Sequence, residues 1–208
     1  MKSLIISPHP DDEVLGAGGT LFKRKTIKKN LLYWIIVTRL KPTTSKRKIL
    51  TRNKEIKKIS KIFGFKKVFQ LNFNTTELDS SSKKKLSQDF SYIFNQIKPN
   101  ELFVPHFSDV HSDHKIVSEV ISSCSKNFRF PYIKKILAYE VLSETDYNLN
   151  RKQVFFPNYY EDITKFLIKK INAMKVYKSE IKKFPFPRSI KTIDALARLL
   201  HATPGKPS

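Results

Sequence analysis

Short apolar runs separated by stretches of helical periodicity fill this 208-residue chain, and that alternation limits the folds open to it more than any other feature. Leu4-Ile5-Ile6, Leu31 to Val37, Val68 to Leu71, Leu102 to Val104 and Ile136 to Val141 are β-branched or apolar runs of strand length, expected to form buried strands. Between them Ile56, Ile59 and Phe63 recur at helical spacing, as do Leu86, Phe90, Ile93, Phe94 and Ile97, with Pro99 closing the second stretch. Strand, helix, strand in sequence implies crossovers that return the chain to the same edge. The expected fold is therefore α/β: a Rossmann-like, mostly parallel sheet flanked by helices.

Two more helical stripes follow in the last third: Ile163, Phe166, Leu167, Ile171 and Met174, then Ile190, Ile193, Leu196, Ala197 and Leu200. The breaker Phe184-Pro185-Phe186-Pro187 separates them, and both are expected to pack on the sheet. Lys41 to Lys48 and Asp79 to Lys85 are polar enough to read as mobile loops. With no repeat and no linker, residues 1–208 read as a single domain, which at 40% apolar residues can bury a substantial core.

Cys124 is the only cysteine, so no internal disulfide forms and a cytoplasmic location fits best. The first residues lack the pattern of a signal peptide, and the longest apolar run falls short of the about 20 residues that a membrane span needs. A soluble protein is expected. Forty Lys+Arg against eighteen Asp+Glu leave a formal charge of +22, which makes nucleic acid, anionic membrane and phosphorylated substrates candidate partners. The lysines are spread through nearly every helical stretch instead of forming one stripe interleaved with aromatics, so no specific nucleic acid is expected.

The first strand runs directly into Ser7-Pro8-His9-Pro10-Asp11-Asp12-Glu13, at a strand's carboxyl end, where open α/β sheets bind ligands. Taken alone, Asp11 or Asp12 could simply cap a helix beginning near Val14. A second cluster changes the weighing. Leu102-Phe103-Val104 leads into His106, Asp109, His111, Asp113 and His114, so four of the five histidines stand beyond strand ends. His111 and His114, three apart, share a face if a helix starts there. His9, Asp12 and His114 then offer two imidazoles and a carboxylate, the count of a hydrolytic zinc site that leaves one position for water. Asp11, next in sequence to Asp12, is placed to take a proton from that water, and together they create the nucleophile. Attack on an amide requires an electrophile for the oxyanion and an acid for the amine; His111 is the candidate for both, with Asp113 expected to hold it cationic.

His9-Pro10-Asp11-Asp12-Glu13 and His111-Ser112-Asp113-His114 resemble the HPDD(E) and HxDH signatures of the LmbE-like, or PIG-L, de-N-acetylases. Shorter similarities run through Arg52-x-x-Glu55, Tyr139 to Ser143, Asp162-Ile163-Thr164 and Pro187-Arg188-Ser189, covering nearly the whole chain. The resemblance implies zinc on His9, Asp12 and His114, Asp11 as base, and a Rossmann-like fold. It further implies hydrolysis of the N-acetyl group of an N-acetylglucosamine-type glycan, glycolipid or other glycoconjugate precursor. Arg52 and Asp109 are expected to line the substrate pocket. The chain departs from the family in Leu40, where members usually carry glycine, and in its end, Leu199 to Ser208, which lacks the usual acidic-aromatic tail.

Three rival readings remain at this level. His9, Asp11 and His114 also spell a facial triad for Fe(II), although such oxygenases are usually all-β. Gly16-Ala17-Gly18-Gly19 follows the first strand but lacks dinucleotide-binding spacing, and close helix packing accounts for it better. A basic nucleic-acid- or anion-binding protein without catalysis would explain the charge and predicts strongly salt-sensitive binding. Within the deacetylase reading, zinc is the default metal, other divalent transition metals also suit the donors, and the basic surface favours an anionic substrate or peripheral contact with an anionic membrane.

Overall fold

The computed structural model describes residues 1–80, 83–150 and 152–202. Five strands, β1 (Lys2–Ser7), β2 (Leu31–Arg39), β3 (Lys67–Asn74), β4 (Glu101–Pro105) and β5 (Lys135–Tyr139), form one sheet in the order β3-β2-β1-β4-β5, and every pairing is parallel. Each expected strand is present, within a few residues of its apolar run. Central β1 is buried on both faces, which is why its sequence is continuously apolar instead of alternating. Leu4 and Ile6 join the core on one face and Ile5 the core on the other, as the two-residue side-chain period requires. Each is 0% exposed, and burying such a side chain stabilises the fold by roughly 1.5–3 kcal/mol.

Helices cover both faces. α1 (Asp12–Leu15), α2 (Gly18–Thr26), α3 (Lys46–Phe63), α6 (Leu167–Met174) and α7 (Ile190–Ala202) contribute to the core around Trp34 and Phe63. α4 (Lys83–Ile97) and α5 (Ser112–Cys124) contribute to the core around Phe90 and Phe94. The polar stretches expected as loops are helical in part: Lys46 to Lys48 open α3 and Lys83 to Lys85 open α4, because solvated first turns carry lysines without apolar periodicity. Ser81 and Ser82, within the second stretch, lie outside the described residues, as do residues 203–208 of the atypical end. Among the described residues no helix is long and apolar enough to cross a membrane.

The glycines after β1 serve packing. A Cβ on Gly16 would lie 2.1 Å from the Tyr139 ring, and one on Gly19 2.5 Å from Ile163 Cδ1, so α1 and α2 approach their neighbours more closely than any side chain allows. The dinucleotide-binding reading finds no support in this use of the glycines. β1 pairs with β2 on one side and β4 on the other, so the chain direction of the crossovers reverses between β1 and β4. The loops leaving the carboxyl ends of these two neighbours therefore meet at the crevice where open α/β sheets place their ligands.

Candidate metal centre

The loop after β1 is a compact hydrogen-bonded turn. Thr38, near the end of β2, donates from both its backbone N–H and its Oγ1 to the Pro8 carbonyl, at 3.0 and 2.8 Å. His9 N donates to Asp12 Oδ2 at 2.8 Å, and Asp11 N to Glu13 Oε2 at 3.1 Å. Asp11 has φ 137°, a conformation that side-chain-bearing residues rarely adopt and that this network holds in place. It stands at the N-cap of α1 yet makes no side-chain capping bond, so its carboxylate is left for other partners. Glu13 is fully buried and receives Tyr177 O–H at 2.6 Å; burial pushes its carboxyl up to about 8, against the opposing effect of that hydrogen bond.

The loop after β4 ends at α5. His111 is the N-cap of this helix, and its Nδ1 accepts from Asp113 N at 3.1 Å. His114, in the first turn, points into the crevice with its ring centroid 5.2 Å from that of His9. Three donor atoms converge there. His9 Nδ1 lies 3.2 Å from His114 Nε2 and 3.5 Å from Asp12 Oδ2, and His114 Nε2 lies 3.3 Å from Asp12 Oδ2. Ligands set tetrahedrally at the usual 2.0–2.2 Å from one zinc ion stand about 3.3–3.6 Å apart, so this nearly equilateral set fits a single divalent ion. Asp12, not Asp11, supplies the carboxylate corner, which separates the arrangement from the His9-Asp11-His114 triad of the oxygenase reading.

Both imidazoles are backed by carboxylates. His9 Nε2 is 2.9 Å from Asp113 Oδ2, and His114 Nδ1 is 2.8 Å from Asp109 Oδ2. Asp113 also accepts from Thr76 N at 2.8 Å and Leu78 N at 3.3 Å, while Asp109 accepts from Thr145 Oγ1 at 2.6 Å. Such partners fix the tautomer and ring orientation of metal-binding histidines. Burial opposes charge on both rings, but Asp113 and Asp12 outweigh it at His9, and Asp12 and Asp109 at His114, lifting them to about 9 and about 10. The cluster favours positive charge. His9, His111 and Asp113 form a second close group, but Asp113 Oδ2 is committed to His9 and Thr76, and His111 Nδ1 to a backbone N–H.

Two expected placements change. Asp113 pairs with His9 instead of His111. The His111 ring is held down to about 4 by burial and by its imidazole neighbours, so it is neutral, and because Nδ1 accepts a hydrogen bond its proton sits on Nε2. Asp109, expected at the substrate, is 0% exposed behind His114 and does not reach the pocket.

The pocket beside the triangle has a volume of about 470 Å³ and is bordered by His9, Asp11 and His111 at the β1 and β4 loops. Arg52 lies on its wall, but its donors are occupied by the Pro10 carbonyl, Ser179 Oγ, Glu180 and Glu55, so it ties α3 to the loop after β1 and to the C-terminal segment. Arg188 places Nη1 3.0 Å from Asp11 Oδ2 and Nη2 2.8 Å from Glu144 Oε1. Burial and the charge of Asp12 raise Asp11 to about 7, with Arg188 pulling the other way. In the sequence Arg188 stands out only as part of Pro187-Arg188-Ser189, and nothing there marks Tyr177 or Glu180.

Residues 4–125, more than half of the chain, match the family model described as PIG-L, GlcNAc-PI de-N-acetylase. A diacetylchitobiose deacetylase of Thermococcus kodakarensis is 25% identical over 193 residues, 86% of this chain and 70% of that protein. The structure of N,N'-diacetylchitobiose deacetylase from Pyrococcus horikoshii superposes with a TM-score of 0.67 at 25% identity, over 96% of this chain and 75% of that one. A conserved protein of Thermus thermophilus shares the fold with a TM-score of 0.73 at 23% identity, over 95% of this chain and 85% of its own.

Proposed function

We propose, on the premise that this chain belongs to the PIG-L family of de-N-acetylases, that residues 1–208 form one metal-dependent hydrolase domain. It would remove the N-acetyl group from an N-acetylglucosamine-type glycan, glycolipid, nucleotide-sugar or glycoconjugate precursor. The observation that carries the reading is the donor triangle of His9, Asp12 and His114 opening on a pocket with Asp11 at its edge. A divalent ion held there, zinc by default, would supply Lewis acidity to the acetamide carbonyl and to a water.

Asp11 is the base: its carboxylate takes a proton from water as the water attacks the acetamide carbon, and a group with a pKa near 7 can then return that proton to the departing amine. Arg188 grips Asp11 Oδ2 and leaves the other oxygen for this exchange. His111 is the electrophile, its Nε2–H directed to the oxygen on which negative charge develops. Its neutrality favours this role over the cationic acid expected from the sequence, so proton return falls to Asp11. Asp113 and Asp109 hold the two metal-binding rings in orientation. The absence of disulfides and the basic surface support action in a reducing cytoplasm on an anionic substrate or beside an anionic membrane.

The test is acetate release from a panel of free, nucleotide-linked and lipid-linked N-acetylhexosamines by protein loaded with a divalent ion. At least one substrate should release acetate, and Asp11→Asn should lower turnover by roughly 10²–10⁴-fold while the ion stays bound. Acetate from no substrate, or turnover undiminished in Asp11→Asn, contradicts the assignment.

A further inference from the structure

Three arginines border the pocket, and they differ in what they already hold. Arg52 is committed to Glu55, Glu180 and the Pro10 carbonyl. Arg188 is committed to Asp11, Glu144 and Ser143 Oγ. Arg39, the last residue of β2, is anchored only through its backbone, which pairs with Asn74 and accepts from Thr75 N at 3.0 Å. Its side chain is exposed to the pocket, and among the described residues no carboxylate lies within ion-pair distance of it and no hydrogen bond occupies its guanidinium.

The surroundings of Arg39 have the same character. Gln70 and Asn53, on β3 and α3, border the pocket with side-chain amides that hold no hydrogen-bond partner among the described residues. The first turn of α3 adds Lys46, Arg47 and Lys48, all exposed and none in an ion pair among the described residues, beside the pocket residue Ile49. Neighbouring strands are about 4.8 Å apart, so the ends of β2 and β3 stand roughly 5–10 Å to one side of the β1 loop that carries His9, Asp11 and Asp12. That offset suits a substituent of the sugar, distinct from the acetamide group.

We propose that this wall is an anion subsite in which Arg39 receives a phosphate or carboxylate group attached to the acetylated sugar. The proposal rests on the deacetylase reading and narrows it to anionic substrates. A guanidinium matches the two oxygens of such a group in a fork, which lysine cannot reproduce. The unpaired lysines around it add a positive field that draws the same ligand.

The test compares wild-type protein, Arg39→Gln and Arg39→Lys, each loaded with the divalent ion, on N-acetylglucosamine, its 1-phosphate and its 6-phosphate. Wild type should show a higher kcat/KM on at least one phosphate ester than on the neutral sugar, and the ratio should shrink at high salt. Arg39→Gln should lower that ratio roughly tenfold to hundredfold, mainly through KM, with Arg39→Lys in between. A wild-type ratio at or below one, or a ratio unchanged by Arg39→Gln, overturns the subsite. If no sugar releases acetate, the deacetylase reading fails separately, and calorimetric binding of the same esters decides the subsite: weaker binding to Arg39→Gln sustains it, and equal binding removes it.

Discussion

Asp113 joins the two halves of the site, since it receives His9 Nε2 from the first loop and the Thr76 and Leu78 amides from the segment after β3. Asp113→Asn keeps the shape but weakens the grip on His9, so affinity for the divalent ion should fall roughly 10–100-fold by calorimetry, with the circular dichroism spectrum unchanged. Asp11 gives a pH prediction. A base must be deprotonated to act, so kcat/KM rises with pH through its pKa. Without an ion, burial and Asp12 hold that value up at about 7 against Arg188; a bound cation adds to the effect of Arg188, so the acid limb should lie below about 7. Arg188→Gln removes one lowering charge and should move the limb upward, whereas a limb unmoved in that variant would dissociate Arg188 from Asp11. His9, Asp11, Asp12 and His114 could be read from the sequence because each follows a recognisable strand. The partner of Asp113 could not, because the N-cap geometry turns its backbone toward His111 and its side chain toward His9. Arg188, Tyr177 and Glu180 reach the site only through the tertiary placement of the C-terminal segment.

The elements were the most legible level, for a physical reason. A parallel sheet buried on both faces demands unbroken apolar runs, and β1, β2 and β4 supply them. Elements are hard to read where solvent, not packing, sets the composition. Lys46 to Lys48 and Lys83 to Lys85 read as loops because a solvated first turn carries no apolar period, and β5 ends at Tyr139, short of Val141, where Val141 N turns to Thr145 Oγ1. The break between α1 and α2 at Gly16 has a specific consequence. A methyl group there collides with Tyr139, whose O–H is bonded to the Ile6 carbonyl in the central strand. Gly16→Ala should therefore lower unfolding stability by about 1–3 kcal/mol in denaturant titrations, the usual range for overpacking. A change within experimental error would mean that Tyr139 can move aside freely.

At the scale of the whole molecule, the reversal of crossovers between β1 and β4 is what unites residues more than a hundred positions apart. Order along the chain alone could not reveal which loops become neighbours; the parallel arrangement made it an expectation. Ion binding to the native state should stabilise the whole fold, by about 2.7 kcal/mol at a free ion concentration one hundred times Kd. The pH dependence should differ between loaded and chelated protein. His9 and His114 have folded pKa values of about 9 and about 10, above the 6.5 of an unperturbed imidazole, so protons bound there stabilise the chelated fold fully below about pH 6.5. That contribution is lost as pH rises through 9 to 10. Melting scans should thus show chelated protein weakening from neutral to alkaline pH, while protein loaded with ion holds its Tm over the same interval. Parallel curves would mean that the two rings are not the groups the ion replaces.

Calorimetric titration of ion-free protein with zinc, on the wild type and on His9→Ala and His114→Ala, is the most direct check that two loops build one cation site. One ion per chain for the wild type, with saturable binding lost in each variant while its fold persists, is the predicted result. Equal binding by the wild type and both variants, or no saturable binding at all, would contradict it.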